Sequence, residues 1–221
     1  MCKTLVIYLY ICNLEFISRV TVDLEMGYLS EGATRPIPWE DAEKMMAACE
    51  DDPQLHCFLS LGFYTAMRYY ELANVRFVDV VDQTHYTFIA KGNKERRVKL
   101  HPKLVESIKV WHGEFSKNLF YDPEMRLIHN KKDKYGRYAP ISLYASYTML
   151  KRAVRKSGVY VYKPTCHFLR KTFATAIYEK LGSTEKAVVT VAGLLGHENY
   201  GTTMHYLGLE EKIFDELYDI L

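Results

Sequence analysis

The chain has 221 residues, of which 48% are hydrophobic and 25% are charged, and its formal net charge is +2. This composition indicates a globular domain with a packed core and excludes a disordered or fibrous chain. The five cysteines are odd in number, widely spaced and never arranged as Cys-x-x-Cys, which argues against a disulfide framework and a structural zinc site and indicates a reducing, cytoplasmic location.

The first 35 residues are predicted to be a tail or the remnant of a domain, because the Gly- and Pro-containing segment 32–38 interrupts any regular element. The apolar run 5–12 is too short to span a bilayer, and no convincing signal-peptide cleavage site follows it. We therefore expect this run to form a buried strand or helix, and we expect no membrane partner.

Two helices are predicted after this boundary. Segment 39–49 is amphipathic with acidic residues in its first turn, and Pro53 opens a second helix that runs to about residue 66. Arg68 should therefore lie at or just past a helix end.

A small antiparallel sheet is predicted in the middle of the chain. Segments 77–81 and 84–90 have extended patterns, and the turn signal Gly92-Asn93 precedes a further extended segment, 96–100. Periodicity then predicts a polar connection at 121–138 and helices at 102–114, 143–156, 166–181 and 184–195. The fold class is mainly α with a small antiparallel β-sheet (α+β).

The small net charge hides an uneven distribution along the chain. Six basic residues lie within 91–103, and seven lie within 151–171, where there is no carboxylate. This clustering predicts one basic face that could contact nucleic acid, although an unevenly charged solvated surface would give the same pattern.

The last quarter of the chain supplies groups that suit phosphodiester chemistry. His167 and Arg170 are three residues apart, so on a helix both side chains could reach one phosphate. Gly196 is predicted to end a helix and to present His197 from a sharp turn. Tyr206 follows nine residues later and is a candidate nucleophile. Taken singly, each could be an ordinary surface, capping or core residue.

Five blocks of sequence together resemble the tyrosine recombinase (phage integrase) family in order and spacing. They are YTAMRYYEL at 64–72, KGNKER at 91–96, HFLRKTFAT at 167–175, LGH at 195–197 and TTMHY at 202–206. The resemblance covers residues 36–209 and implies the catalytic-domain fold of that family. It also implies an enzyme that breaks and rejoins DNA strands for site-specific integration or excision.

The resemblance implies a role for each matching basic residue. Arg68 and Arg170 would hold the non-bridging oxygens of the scissile phosphate and stabilise the transition state. Lys91, in the β-turn, would be the general acid that protonates the leaving 5′ oxygen, with Lys94 as the rival for that role. Glu71 would support Arg68 rather than catalyse.

The remaining site residues are implied in the same way. His167 would act as general base or hydrogen-bond partner, and His197 would donate to the phosphate. Tyr206 would form a 3′-phosphotyrosine, so that neither metal nor ATP nor another cofactor is required. Tyr200 and Tyr218 lack the family spacing.

Weaker candidates for DNA contact share a positive charge and a position near these blocks or in the polar connection. They are Lys94, Arg96, Lys131, Lys132, Lys134, Arg137 and Lys171. An ordinary solvated loop is an equally good interpretation of the connection. The chain departs from the family at Ala66, where glycine is usual, and at Lys171, where histidine is common.

The resemblance also implies partners and boundaries. Double-stranded DNA would be bound by a homo-tetramer acting on two sites, with protomers that associate weakly or are monomeric without DNA. The terminal helix 210–221 would dock on the next protomer or pack in cis. Family members normally add a core-binding domain of about a hundred residues, and segment 1–35 is too short for one. A type IB topoisomerase and a non-catalytic DNA- or partner-binding protein are the alternatives.

Overall fold

The computed structural model describes residues 34–130, 138–197, 199–207 and 209. These residues fall into two compact units, residues 34–203 and the described residues from 204 onwards. The predicted N-terminal tail up to residue 33, the basic residues at 131–137 and the terminal helix 210–221 lie outside the described residues.

Two helices open the first unit close to their predicted positions. Helix α1 is Trp39–Ala47 and helix α2 is Pro53–Thr65. The carboxylate of Asp52 accepts the backbone N–H of Leu55 at 3.1 Å, which satisfies one of the unpaired donors at the start of α2. Helix α2 is followed by its C-terminal capping residue, Ala66, which has the left-handed conformation (φ 51°, ψ 31°) that glycine adopts most readily.

Two short helices follow, α3 at Tyr69–Asn74 and α4 at Phe77–Val80. The predicted extended structure for 77–81 is therefore wrong. The carboxylate of Asp79 accepts the backbone N–H and the Nε of Arg76 at 3.1 and 3.0 Å, and this local pairing caps a helical turn. Phe77 and Val80 are three residues apart and both are fully buried, as one helical face requires.

The predicted antiparallel sheet is a single hairpin. Strand β1 is His85–Ala90 and strand β2 is Lys94–Lys99, so β2 begins two residues earlier than predicted. Phe88 pairs with Arg96 in the register of the two strands. Gly92 and Asn93 both have positive φ, which is the backbone conformation that the turn signal predicted.

The regular elements that follow in the described residues are helices. The helices are α5 at Pro102–Phe115, α6 at Leu143–Ser157, α7 at Cys166–Lys180, α8 at Glu185–Leu195 and α9 at Tyr200–Leu207. The prediction of a mainly α fold with a small antiparallel sheet is confirmed. Across the described segments of the chain, no helix is long and apolar enough to cross a membrane.

The core of the first unit is built around helix α2, which packs on α5 and α7. Phe63 of α2 meets Phe168 of α7 edge to face, with ring centroids 5.6 Å apart. A Cβ atom added at Gly62 would lie 2.4 Å from Cδ1 and 3.2 Å from Cβ of Leu169, so a larger residue here would require Leu169 to shift. This packing fixes the end of α2 beside the start of α7.

Candidate active site

Arg170 lies at the centre of the site and is only 1% exposed. Its Nη1 donates to the carbonyl oxygen of Ala66, at the end of α2. Its Nη2 donates to the carbonyl oxygen of Leu195 at 2.6 Å, at the end of α8. The same Nη2 lies 3.3 Å from Nε2 of His197. One guanidinium thus joins two helix C-termini, whose carbonyls attract positive charge.

Arg68 is the N-terminal capping residue of α3, and 22% of its side chain is exposed. The buried carboxylate of Glu71 accepts its backbone N–H at 2.7 Å and its Nη1 at 3.1 Å. The Tyr70 hydroxyl donates to the same carboxylate at 3.3 Å. Glu71 therefore fixes both the backbone and the side chain of Arg68, as the sequence predicted for a supporting residue.

His197 follows a helix end of the predicted kind. Gly196 has φ 64°, and the backbone N–H of His197 donates to the carbonyl of Ala192 at 3.0 Å. Nδ1 of His197 lies 2.9 Å from the hydroxyl of Thr203. Because a guanidinium has only donors, Nε2 must accept from Arg170, which places the imidazole proton on Nδ1.

The charge state of His197 follows from its surroundings. Burial, together with the positive charges of Arg170, Arg68 and Arg96, lowers the pKa of His197 to about 4. The imidazole is therefore neutral at pH 7. A phosphate placed beside it would oppose these charges and favour the protonated form.

His167 is in the first turn of α7, and its side chain is exposed. Desolvation of part of the ring and the charges of Arg170, Arg68 and Lys171 lower the pKa of His167. A neutral imidazole can accept a proton, which is what a general base requires. The charges of Arg170 and Arg68 lower the pKa of both His167 and His197. These four predicted site residues therefore share one electrostatic environment.

The hairpin carries the other predicted cations in different settings. Lys91 lies, as predicted, in the turn between β1 and β2, and it is exposed. Lys94 is exposed at the start of β2. Only 11% of the Arg96 side chain is exposed, and Lys171 is 8% exposed with a pKa lowered by burial. Arg96 and Lys171 are thus less accessible than Lys91 and Lys94, and their contact with DNA stays a prediction.

Tyr206 belongs to the second unit, where it lies on helix α9 and is half-buried. Tyr200 is the first residue of the same helix. The other competing tyrosine, Tyr218, lies outside the described residues, as do Lys131, Lys132, Lys134 and Arg137. The role of Tyr206 as the nucleophile stays a prediction from its spacing to His197.

The sequence did not identify three partners of the site. These are the hydroxyl of Thr203 and the carbonyls of Ala66 and Leu195. Backbone carbonyls carry no residue-specific signal, and Thr202 and Thr203 offer the same hydroxyl. In the described part of the chain, no group of three or more His, Cys, Asp or Glu residues could hold a metal ion.

Comparisons with known proteins agree on one family. The model of the phage integrase family matches residues 37–212. The tyrosine recombinase XerC of Caldanaerobacter subterraneus subsp. tengcongensis is 24% identical over 208 residues, which cover 93% of this chain and 56% of that protein. The chain spans about half the length of the curated relatives it matches.

Solved structures share the fold. The crystal structure of XerA recombinase has a TM-score of 0.65 and 21% identity, and the match covers 87% of this chain and 65% of that one. XerH site-specific recombinase, bound to palindromic difH substrate in a post-cleavage complex, has a TM-score of 0.63 and 21% identity. That match covers 86% of this chain and 54% of XerH.

Proposed function

This chain belongs to the phage integrase family, and from that premise we propose that it is a tyrosine-type site-specific DNA recombinase. The observation that carries the proposal is the grouping of two arginines and two histidines, Arg68, Arg170, His167 and His197. Nη2 of Arg170 lies 3.3 Å from Nε2 of His197, and the charges of both guanidiniums lower the pKa of both imidazoles. Cleavage of a phosphodiester needs cations that stabilise the developing negative charge and groups that transfer protons. The two guanidiniums and the two neutral imidazoles can supply both.

The proposed reaction is a transesterification. The Tyr206 hydroxyl attacks phosphorus and loses its proton to His167, and the bond from phosphorus to the 5′ oxygen breaks as Lys91 protonates that oxygen. The product is a 3′-phosphotyrosine, whose ester bond a second 5′ hydroxyl attacks in the reverse reaction. Each step exchanges one phosphate ester bond for another, so the energy of the bond is kept. The scheme therefore uses no metal, ATP or other cofactor.

The roles of the basic residues follow from their settings. Arg68, held by Glu71 and partly exposed, would bind a non-bridging oxygen directly. Arg170 would stabilise the negative charge of the transition state from the protein interior, because its Nη1 and Nη2 donate to the carbonyls of Ala66 and Leu195. His197 accepts from Arg170 in this state, so it would donate to the phosphate only after the added negative charge raises its pKa.

Double-stranded DNA is the proposed partner, and a homo-tetramer on two DNA sites is the proposed assembly. The relative XerH is described as bound to a DNA substrate, which supports the choice of DNA. The matched residues 37–212 correspond to part of the longer relatives. We expect weak, salt-sensitive DNA binding by this chain alone, because phosphate contacts release counterions and fewer of them would be made. The free, buried thiols of Cys49, Cys57 and Cys166 support a cytoplasmic location.

Two alternatives are less well supported. A type IB topoisomerase would use the same chemistry, but the similar curated proteins are described as tyrosine recombinases. A purely DNA- or partner-binding protein would not need the charged cluster around Arg170.

A pool of duplexes with a randomised central segment and a nick beside it tests the proposal. Cleavage near the nick releases a short strand, so that the covalent protein–DNA complex persists in SDS and its DNA can be sequenced. We expect trapping by the wild-type chain and by Tyr200→Phe, with or without EDTA, and none by Tyr206→Phe. Trapping that survives in Tyr206→Phe would move the nucleophile elsewhere, and loss of trapping with EDTA would contradict the metal-free scheme.

A further inference from the structure

The β-hairpin that carries Lys91 presents only part of its surface to the rest of the first unit. Strand β1 packs on α3 and α4. On β2 the residues Lys94, Glu95, Arg97 and Lys99 are exposed. Arg96 lies between them on the inner face, opposite Phe88 in the register. A general acid on such a hairpin needs something that fixes the turn relative to the phosphate site.

Arg96 makes contacts with three parts of that site. Its Nη2 donates to the carbonyl of Leu194, one residue before the end of α8. The same atom lies 3.5 Å from the carbonyl of Thr65, at the end of α2. Its Nη1 lies 3.6 Å from Oε2 of Glu71, the carboxylate that holds Arg68. One side chain on the hairpin therefore reaches α2, α3 and α8.

The aliphatic part of Arg96 and its guanidinium are also packed. The guanidinium carbon lies 5.6 Å from the ring centroid of Phe88, within cation–π range. A Cβ atom added at Gly196 would lie 3.7 Å from Cδ of Arg96, so this side chain lies against the turn that presents His197. These contacts connect the hairpin to the same turn that Arg170 holds.

The burial of Arg96 has a cost in free energy. Desolvation lowers the pKa of Arg96, although the charge of Glu71 opposes the effect. Its Nη1 is buried and has no hydrogen-bond partner in the described structure. An apolar side chain would fill this space at a lower cost. What the guanidinium adds is a set of directed bonds to carbonyls at two helix ends.

We propose that Arg96 is a positioning residue for Lys91, which fixes the hairpin turn relative to Arg68 and His197. Arg96 is two residues from the start of β2, which corresponds to about 7 Å along the strand and leaves the turn little freedom to pivot. This inference rests on the proposed function, since it assigns Lys91 the role of general acid. It is an alternative to the predicted role of Arg96 as a DNA contact.

Three variants separate the two roles of Arg96. Arg96→Gln removes the directed contacts, and Arg96→Lys keeps the charge but lacks the planar fork that reaches two carbonyls. Arg97→Gln is the matched control, because it removes the same charge from the exposed outer face of the neighbouring position. At saturating DNA we expect Arg96→Gln to cleave about 10²-fold more slowly, as a misplaced catalytic group would cause. Arg96→Lys should fall between, and Arg97→Gln should match the wild type.

A substrate with sulfur in place of the bridging 5′ oxygen gives a readout that a merely structural role would not change. This substrate is synthesised with the DNA sequence that is recovered from the trapped covalent complexes. A thiol has a pKa of about 8.5, so its thiolate leaves without protonation and the general acid becomes dispensable. We expect the sulfur substrate to restore cleavage by Arg96→Gln and by Lys91→Ala to near the wild-type rate. Arg68→Ala should remain slow on both substrates.

The outcomes distinguish this inference from the proposed function. If the wild-type chain forms no covalent complex with the duplex pool, the proposed function fails. If the wild type cleaves but sulfur does not rescue Arg96→Gln, or Arg97→Gln is equally slow, the positioning role is wrong. Thermal melts show whether Arg96→Gln is folded. If it is not, the same rescue by sulfur is required of Arg96→Lys, and its absence there overturns the inference.

Discussion

Glu71 makes the sharpest test of how the site is held together. Its side chain is fully buried and accepts two hydrogen bonds from Arg68 and one from Tyr70, with the Arg96 guanidinium 3.6 Å away. Glu71→Gln keeps the shape of the side chain but replaces one accepting oxygen with an NH2 group. That group would face donors, and the carboxylate that lies beside the guanidiniums of Arg68 and Arg96 would be lost.

The expected loss of stability follows from these contacts. One charge-assisted hydrogen bond contributes about 1.5–3 kcal/mol. Breaking a buried ion pair by neutralising one partner costs about 3–5 kcal/mol. Because 22% of the Arg68 side chain is exposed, water can compensate part of the loss. We therefore expect Glu71→Gln to lower the free energy of unfolding by about 3 kcal/mol.

Urea unfolding followed by circular dichroism measures this change. With an m-value of about 2 kcal/mol/M, the midpoint should fall by about 1.5 M at unchanged m. Asp79→Asn is the matched control, because Asp79 makes the same local contacts with Arg76 in a more exposed setting, where Arg76 is 39% exposed. Its midpoint should shift far less. Equal shifts in the two variants would refute the argument that burial makes the Glu71 carboxylate important.

Three further predictions address packing and protonation. Gly62→Ala should lower the free energy of unfolding in urea by about 1–3 kcal/mol, because its methyl group would meet Leu169 at 2.4 Å. Gly113→Ala, with nothing within 4 Å, should raise it by about 0.5–1 kcal/mol, and a loss there would contradict the packing argument. The folded-state pKa of His197 is about 4, below the ordinary value of 6.5, so the unfolded chain binds the extra proton between these values. The free energy of unfolding should thus fall as pH decreases from 6.5 to 4. It should fall less steeply in His197→Gln. An NMR titration of the folded protein in which His197 has its midpoint near 6.5 would disprove this. Burial raises the pKa of the Cys57 thiol to about 12, so iodoacetamide at pH 8 should label Cys57 only in urea, as peptide mass spectrometry can check.

Local signals predicted most of the fold. Pro53 and Gly196 marked the start of α2 and the end of α8, and Gly92-Asn93 marked the hairpin turn. The failure at 77–81 has a local cause as well. Phe77 and Val80 suit a strand by composition, but the pairing of Arg76 with Asp79 caps a helical turn. Composition alone does not indicate that this pairing would outweigh the strand preference.

The site was less predictable than the fold. The spacing of His167 and Arg170 and the turn at His197 were accessible, because each depends on neighbours along the chain. The burial of Arg96 depends on which face of β2 turns inward. The neighbouring arginines at 96 and 97 look alike in sequence, and only the long-range packing against Leu194 and Glu71 distinguishes them.

The two carbonyls that Arg170 holds have a consequence for when its guanidinium reaches its folded position. The carbonyl of Ala66 lies 104 residues before Arg170, and that of Leu195 lies 25 residues after it. Closing so long a loop is entropically costly until the intervening helices have packed. A nascent or partly unfolded chain therefore cannot assemble this cation in its working geometry. Under the proposed function, strand cleavage would be withheld until residues 66–197 have folded as a unit.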